Sequence, residues 1–128
     1  MVYLDSSVAL AHLLAEDRRP PEPLWNETLV SSRLLEYELW TRVHARRLAD
    51  SHGDAVRDLL ARVGVVELNP LVLERATESF PAPVRTLDAL HLASLFFLRD
   101  RGQPSEIATY ELRMRLVDEA LDMPIHVI

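Results

Sequence analysis

Four acidic residues stand where the surrounding sequence predicts a buried strand end or an apolar helix. They are Asp5, Glu38, Asp88 and Glu111. A carboxylate beside a protein core is costly unless a cation or a set of hydrogen-bond donors compensates its charge. One shared divalent cation would compensate all of them together. These positions therefore predict an acidic site that holds a metal ion.

The composition favours an ion that prefers oxygen ligands. The chain has no Cys, and its five His residues are never paired at ligand spacing, so a zinc site is disfavoured. Carboxylate oxygens suit magnesium or manganese, Mg²⁺ or Mn²⁺, as the cofactor. Such an ion lowers the pKa of a bound water and stabilises charge that develops on phosphorus. The hypothesis is a metal-dependent phosphodiesterase.

Length and charge restrict the function classes. The chain has 128 residues, of which 48% are hydrophobic, so we expect one domain over residues 1–128 with a continuous core. A net charge of −6 argues against a protein that holds nucleic acid by a broadly basic surface. All 14 basic residues are Arg, which makes forked contacts to phosphate or carboxylate. The three glycines are too scattered to form a phosphate-binding loop.

The first residues predict neither a signal peptide nor a membrane anchor. The N-terminus MVYLDSSVALAHLL has no basic leader and no apolar run near the ~20 residues that a bilayer span requires. The absence of Cys agrees with a reducing compartment. We expect a cytoplasmic protein.

Alternating helical and strand patterns predict an α/β fold around a short, mainly parallel central sheet. Sites in such sheets form beyond the carboxyl ends of the strands, where Asp5 and Glu111 fall. Strands are expected near residues 2–4, 29–30, 65–66, 107–108 and 125–128, and helices near residues 8–14, 32–49, 54–63, 70–76, 86–99 and 111–121, with Gly64 ending the third of these helices.

Each acid also has an ordinary structural explanation. Asp5 can cap the helix that follows it. Asp88 lies in the first turn of the most apolar helix, where the helix dipole favours a carboxylate, and Glu111 also precedes a helix. On the central helix, Glu36 and Glu38 project roughly 200° apart, and periodicity prefers Glu38 for the site. The other acids are interpreted as solvated: Asp50, Asp54, Asp58, Asp118, Glu119 and Asp122.

Other side chains are candidates for weaker roles. His91 follows Asp88 by one helical turn and could act as a base, although a hydrogen-bonded core position is favoured. The aromatic residues Trp25, Tyr37 and Trp40 are expected in the core or at a partner contact. The run Arg42, Arg46 and Arg47 could contact a nucleic-acid backbone or form a solvated face.

Four segments, LDSSVAL, VSSRLLEYELW, TLDALHLAS and IATYELRMRL, resemble the signature segments of PIN-domain ribonucleases. Their order and spacing resemble the VapC-type toxins of VapBC toxin–antitoxin pairs. The resemblance implies a three-layer α/β/α fold, metal binding by Asp5 and Asp88, and a central glutamate at Glu38. It also places Glu111 in the last segment, where the family usually has T-x-D and this chain has T-x-E.

The same resemblance implies an activity and partners. The activity is endoribonuclease cleavage of structured RNA such as transfer or ribosomal RNA. The partners are a cognate VapB-type antitoxin and a second copy in a homodimer. An antitoxin segment is expected to dock near Trp25, Tyr37 and Trp40 and to offer an Arg to the acidic pocket.

Two other functions remain open from the sequence. In the first, Asp5, Asp88 and Glu111 only cap helices and the domain is a non-catalytic protein-binding module, an alternative that the T-x-E departure keeps open. In the second, Asp5 is the nucleophile of a phosphatase or receiver-like domain, which would form a phospho-aspartate.

Overall fold

The computed structural model describes residues 1–103 and 105–128. It is a three-layer α/β/α fold. The strands are β1 (Val2–Leu4), β2 (Leu29–Ser32), β3 (Val63–Val66) and β4 (Glu106–Ala108). The helices are α1 (Ser6–Leu13), a 3₁₀ helix (Glu22–Asn26), α2 (Leu34–Ala45), α3 (Ala49–Ala61), α4 (Pro70–Ala76), α5 (Thr86–Asp100) and α6 (Leu112–Ala120).

The strands form one parallel sheet in the order β3-β2-β1-β4. The chain moves outward from β1 to β2 and β3, and then returns to place β4 on the other side of β1. The strand order therefore reverses between β1 and β4, and a crevice is expected beyond their carboxyl ends. Asp5 follows β1 directly, and Thr109 follows β4 directly.

Side-chain alternation along β1 divides the core into two layers. Val2 and Leu4 face the helices α1, α2 and α3, whereas Tyr3 faces the side covered by α4, α5 and α6. All three side chains are buried. Because both faces of the sheet are covered, its polar edge at the strand ends is the place where a site can open to solvent.

Two helix ends predicted from the sequence are wrong. The predicted helix to Ala49 ends at Ala45, because Arg47 adopts a left-handed φ of 56° and α3 then begins at Ala49. Gly64 does not end a helix but lies in β3, where it pairs with Val30. Strand pairing, which helical periodicity does not reveal, decides the place of Gly64, whereas the left-handed backbone at Arg47 decides the end of α2.

The prediction of a last strand over residues 125–128 is also wrong, because only one isolated β-bridge forms there. Ile125 forms an isolated parallel bridge with Ile107, and the hydrogen bonds there are Ile107 N–H to Pro124 O (3.1 Å) and His126 N–H to Ile107 O (2.8 Å). Pro124 has no N–H with which to extend the ladder.

Burial distinguishes the three aromatic residues and corrects one further expectation. Trp25 is only 9% exposed and packs in the core, one of the two places expected for it, while Tyr37 is exposed and Trp40 is half-buried. Asp118, expected on a solvated face, is fully buried. No helix among the described residues is long and apolar enough to cross a bilayer.

Candidate acidic site

Asp5 is a buried carboxylate at the carboxyl end of β1. It caps α1, because its Oδ2 accepts a hydrogen bond from Ser7 N–H at 3.3 Å. The same Oδ2 accepts from the Ser7 hydroxyl (2.6 Å) and from the Thr109 hydroxyl (2.8 Å). Within the described part of the chain, Oδ1 receives no hydrogen bond. One oxygen of Asp5 is therefore fixed by the protein, and the other remains available.

The two hydroxyls also tie Asp5 to the loop after β4. Ser7 Oγ accepts from Tyr110 N–H at 3.0 Å, and Thr109 Oγ1 accepts from Glu111 N–H at 3.0 Å. Each hydroxyl thus donates to the carboxylate and accepts from a backbone amide. This pairing fixes the position of Asp5 relative to the T-x-E segment across the switch point of the sheet.

Glu38 reaches the same edge from α2. Its Oε2 accepts from the Ser6 hydroxyl at 2.9 Å, and its Oε1 lies 2.5 Å from His91 Nε2. The Glu38 side chain is 12% exposed, whereas Glu36 is exposed and pairs with Arg33. Glu38 therefore lies at this edge of the sheet and Glu36 does not, while the role of Glu38 as a site residue stays a prediction.

His91 is buried on α5 between Glu38 and Tyr3, whose hydroxyl lies 2.8 Å from His91 Nδ1. Burial alone lowers the pKa of His91. The hydrogen bond with Glu38 and the negative charges of Asp5, Glu38 and Asp88 outweigh it, so the pKa is raised. Burial also raises the pKa of Tyr3, which stays a neutral phenol.

The imidazole can hold Glu38 in either protonation state. In the neutral form, Tyr3 donates to Nδ1 and the Nε2 hydrogen donates to Glu38. In the imidazolium form, Nδ1–H donates to the Tyr3 oxygen and Nε2–H still donates to Glu38. His91 therefore positions Glu38, in agreement with the structural role favoured by the sequence.

Asp88 lies in the first turn of α5 and its side chain is 13% exposed. Its Oδ2 accepts from Arg85 N–H (3.1 Å) and from Arg113 Nε (3.0 Å). The first bond is the capping role that the sequence allowed. The second brings an arginine from α6 into the site.

Arg113 also donates from Nη2 to Glu111 Oε2 at 2.9 Å and so bridges two of the four acids. Its hydrogen bond to Asp88 and the charges of Asp88, Glu111 and Asp5 raise the pKa of its guanidinium. The Glu111 side chain is 40% exposed, more than the side chains of Glu38 (12%) and Asp88 (13%).

Glu38 is held by His91, and Asp88 and Glu111 are held by Arg113. The charge of Asp5 helps to raise the pKa of both basic groups. The four acids offer an all-oxygen donor set, as a hard divalent ion prefers, and one oxygen of Asp5 is free to coordinate. Within residues 1–103 and 105–128, however, no three acidic or histidine side chains form a ready-made metal site. The residues fit the ion in chemistry and location, but the ligand shell is not preassembled.

The architecture and this edge define a parallel α/β domain with an acidic cluster at its switch point. The family model of the PIN domain matches residues 2–118, and the chain belongs to the PIN domain family. PIN domains are generally metal-dependent nucleases. No curated protein matches the chain significantly.

The sequence analysis did not identify three groups that position the acids. The hydroxyls of Ser7 and Thr109 and the guanidinium of Arg113 hold Asp5, Asp88 and Glu111. The signal for Arg113 was weak: it follows Glu111 by two residues, a spacing that does not reveal that the side chain also reaches Asp88 on another helix. Thr109 was visible only as part of the T-x-E segment.

Proposed function

We propose that this PIN domain is a metal-dependent endoribonuclease that cleaves structured RNA. The observation that carries the proposal is that four carboxylates from separate elements lie at the same edge of the sheet, where Thr109 holds Asp5, His91 holds Glu38, and Arg113 bridges Asp88 and Glu111. A site built only to cap helices would not need acids from β1, α2, α5 and the β4 loop to meet.

In this proposal Asp5 and Asp88 hold the ion, and Glu38 and Glu111 complete its surroundings. Mg²⁺ or Mn²⁺ would supply an activated water and stabilise negative charge on the phosphodiester during in-line attack. Water attack leaves a 5′-phosphate and a 3′-hydroxyl and does not require the RNA 2′-hydroxyl.

The chain's own residues prepare this site. Ser7 and Thr109 fix one oxygen of Asp5 and leave Oδ1 open. His91 holds Glu38, and Arg113 balances Asp88 and Glu111 while no ion is bound. Arg113 must then break its hydrogen bond to Asp88 or to Glu111 before that carboxylate can coordinate the ion.

We further propose a VapC-type toxin role in the cytoplasm. The support is the order of the four segments that contain Asp5, Glu38, Asp88 and Glu111, together with membership of the PIN family. The proposed targets are transfer or ribosomal RNA, the proposed partners are a VapB-type antitoxin and a second copy of the chain, and the biological result is inhibition of translation.

The direct test is cleavage of labelled transfer RNA and ribosomal RNA by purified protein with Mn²⁺. We expect cleavage that EDTA abolishes, products with 5′-phosphates, and a loss of at least about a hundredfold in rate for Asp5→Asn and Asp88→Asn, because metal charge stabilisation is worth several kcal/mol. Cleavage that persists in both variants would refute the site. A trapped phospho-aspartate would indicate the phosphatase chemistry instead.

One observation favours a second candidate, the non-catalytic protein-binding module. Each acid already has a protein donor, and the described residues contain no ready-made metal site. In a module these bonds would be purely structural. No cleavage of any RNA, together with no uptake of Mg²⁺ or Mn²⁺ by folded protein, would select this candidate.

A further inference from the structure

A basic pocket lies next to the acidic site. It is a cavity of about 560 Å³ lined by Arg18, Arg19, Arg115, Tyr110, Leu112 and Ile128. We use the name basic pocket for this group. No acidic residue lines it, although the chain as a whole carries a net charge of −6. An anion would therefore find a local positive field on an otherwise acidic protein.

The charges of the basic pocket are not compensated by the protein. Within the described residues, none of its three arginines forms an ion pair. Six other arginines do pair with acids: Arg33, Arg46, Arg57, Arg75, Arg99 and Arg113. Three of the eight arginines that form no ion pair among the described residues therefore line one cavity.

Two of its arginines are held by neutral groups. Arg18 donates to Tyr110 O at 3.3 Å, and its guanidinium lies 5.3 Å from the centre of the Tyr110 ring. Arg115 donates from Nε to Thr109 O at 3.1 Å. Carbonyl partners orient a guanidinium without cancelling its charge, and they leave its other N–H groups free to bind an anion.

A second cavity connects the basic pocket with Glu111 of the acidic site. It has a volume of about 390 Å³, shares Arg18 and Tyr110 with the basic pocket, and is also lined by Ser6, Ser7, Arg42 and the acids Glu16, Asp17 and Glu111. Ser6 and Ser7 are hydrogen-bonded to Glu38 and Asp5. A chain molecule whose reacting bond lies at the acids can therefore continue through this groove into the basic pocket.

We propose that the basic pocket binds the phosphodiester backbone of RNA on one side of the bond to be cut. This inference rests on the proposed nuclease function. Guanidinium forks match phosphate oxygens, and the exposed Leu112 provides apolar surface on which a base can pack. An acidic protein segment offers carboxylates to the arginines but has no flat bases to place on the apolar surface of the pocket. RNA offers both phosphates and bases, so it is the better match.

The test is binding of a fluorescent single-stranded oligoribonucleotide to the full chain in EDTA, which prevents metal-dependent cutting. One variant carries Arg18→Gln, Arg19→Gln and Arg115→Gln. Its control, Arg57→Gln, Arg75→Gln and Arg101→Gln, changes the net charge equally, and all three substitutions lie outside both cavities. Thermal melting establishes that both variants fold, and single substitutions replace the triple variant if it does not.

We expect the pocket variant to bind roughly tenfold more weakly or worse, and the slope of log Kd against log salt to fall by about two, since each phosphate contact on a single strand contributes about 0.7. The control variant should retain both. Equal loss in the two variants, or no loss in either, would overturn the proposal. Tighter binding of an oligoglutamate of matched charge than of RNA would also overturn it, in favour of an acidic protein partner.

The readouts separate this inference from the proposed function. If the wild type does not cut RNA but the pocket variant loses binding, the RNA-binding pocket stands and the hydrolytic function fails. If the wild type cuts RNA and the pocket variant binds normally, the function stands and the pocket assignment fails. Where the wild type cuts, the pocket variant should show a raised KM and unchanged uptake of Mn²⁺.

Discussion

Arg113 Nε donates to Asp88 Oδ2 at 3.0 Å, across the gap between α6 and α5. The same guanidinium donates to Glu111. One arginine therefore pairs with two of the carboxylates that are proposed to surround a metal ion. An arginine in this place lowers the repulsion among the acids while no metal is bound. It must also compete with the ion for the same oxygens.

Arg113→Gln should therefore have two opposite effects. Without metal, the free energy of unfolding should fall, because Asp88 and Glu111 lose their counter-charge. Mn²⁺ should bind more tightly than to the wild type and raise the melting temperature by a larger increment. Melting curves with and without Mn²⁺ measure both effects, with Arg57→Gln as the control. Weaker Mn²⁺ binding by Arg113→Gln would show that Arg113 orients the ligands rather than competing for them.

Glu38→Gln and Glu36→Gln form a matched pair on one helix. Glu38 contacts Ser6 and His91, whereas Glu36 is exposed beside Arg33. RNA cleavage by Glu38→Gln should fall at least about tenfold, because groups that support a metal site typically contribute ten- to a hundredfold. Glu36→Gln should cut like the wild type. Equal rates for both variants would remove Glu38 from the site.

Thr109→Val should weaken the hold on Asp5. The substitution removes the hydroxyl that donates to Asp5 and accepts from Glu111 N–H, so we expect a loss of about 1–3 kcal/mol in the free energy of unfolding. Affinity for Mn²⁺ should fall about ten- to a hundredfold in calorimetric titration. Thr109→Ser keeps the hydroxyl and should restore both quantities. Failure of the serine variant to restore them would assign the effect to packing.

Asp118 should make stability depend on pH. Burial and the charge of Asp5 raise the pKa of Asp118 from 3.8 to about 7 in the folded protein, and its two carboxylate oxygens have no partner among the described residues. Between these two values the unfolded chain ionises while the folded protein keeps the proton. Its contribution to the free energy of unfolding therefore falls as pH rises through this window.

Asp118→Asn should remove this slope. From pH 4 to pH 8, the variant should gain on the order of 3 kcal/mol relative to the wild type. Urea unfolding at several pH values measures the difference, and Glu119→Gln, on the exposed side of the same helix, is the control. Parallel stability curves for wild type and Asp118→Asn would contradict the assignment of a retained proton.

The sequence was sufficient for the features that depend on local pattern. The apolar run of β1, the helix α4 and the apolar surface of α5 depend on local pattern, and the structure confirms them. The helical spacing of Glu36 and Glu38 favoured Glu38, which lies at the sheet edge, although its role in a metal site stays a prediction. Asp5 was singled out because it ends an apolar strand and Asp88 because it lies in an apolar helix, and both also have capping roles.

Features that depend on long-range pairing were not accessible from the sequence. The place of Gly64 is decided by pairing with Val30, and the burial of Asp118 by the packing of α6 against the sheet. The bridge from Arg113 to Asp88 joins positions on two helices whose closeness no periodicity reveals. For the same reason, the sequence predicted a shared metal site but not the hydrogen bonds that His91 and Arg113 already make with its acids.

The most direct test of the central claim is calorimetric titration of Mn²⁺ into chelator-stripped protein and into its Asp5→Asn and Asp88→Asn variants. We expect the wild type and Glu36→Gln to bind Mn²⁺ saturably, and both Asp variants to lose this binding. An absence of uptake by folded wild-type protein, or uptake that survives both Asp substitutions, would contradict it.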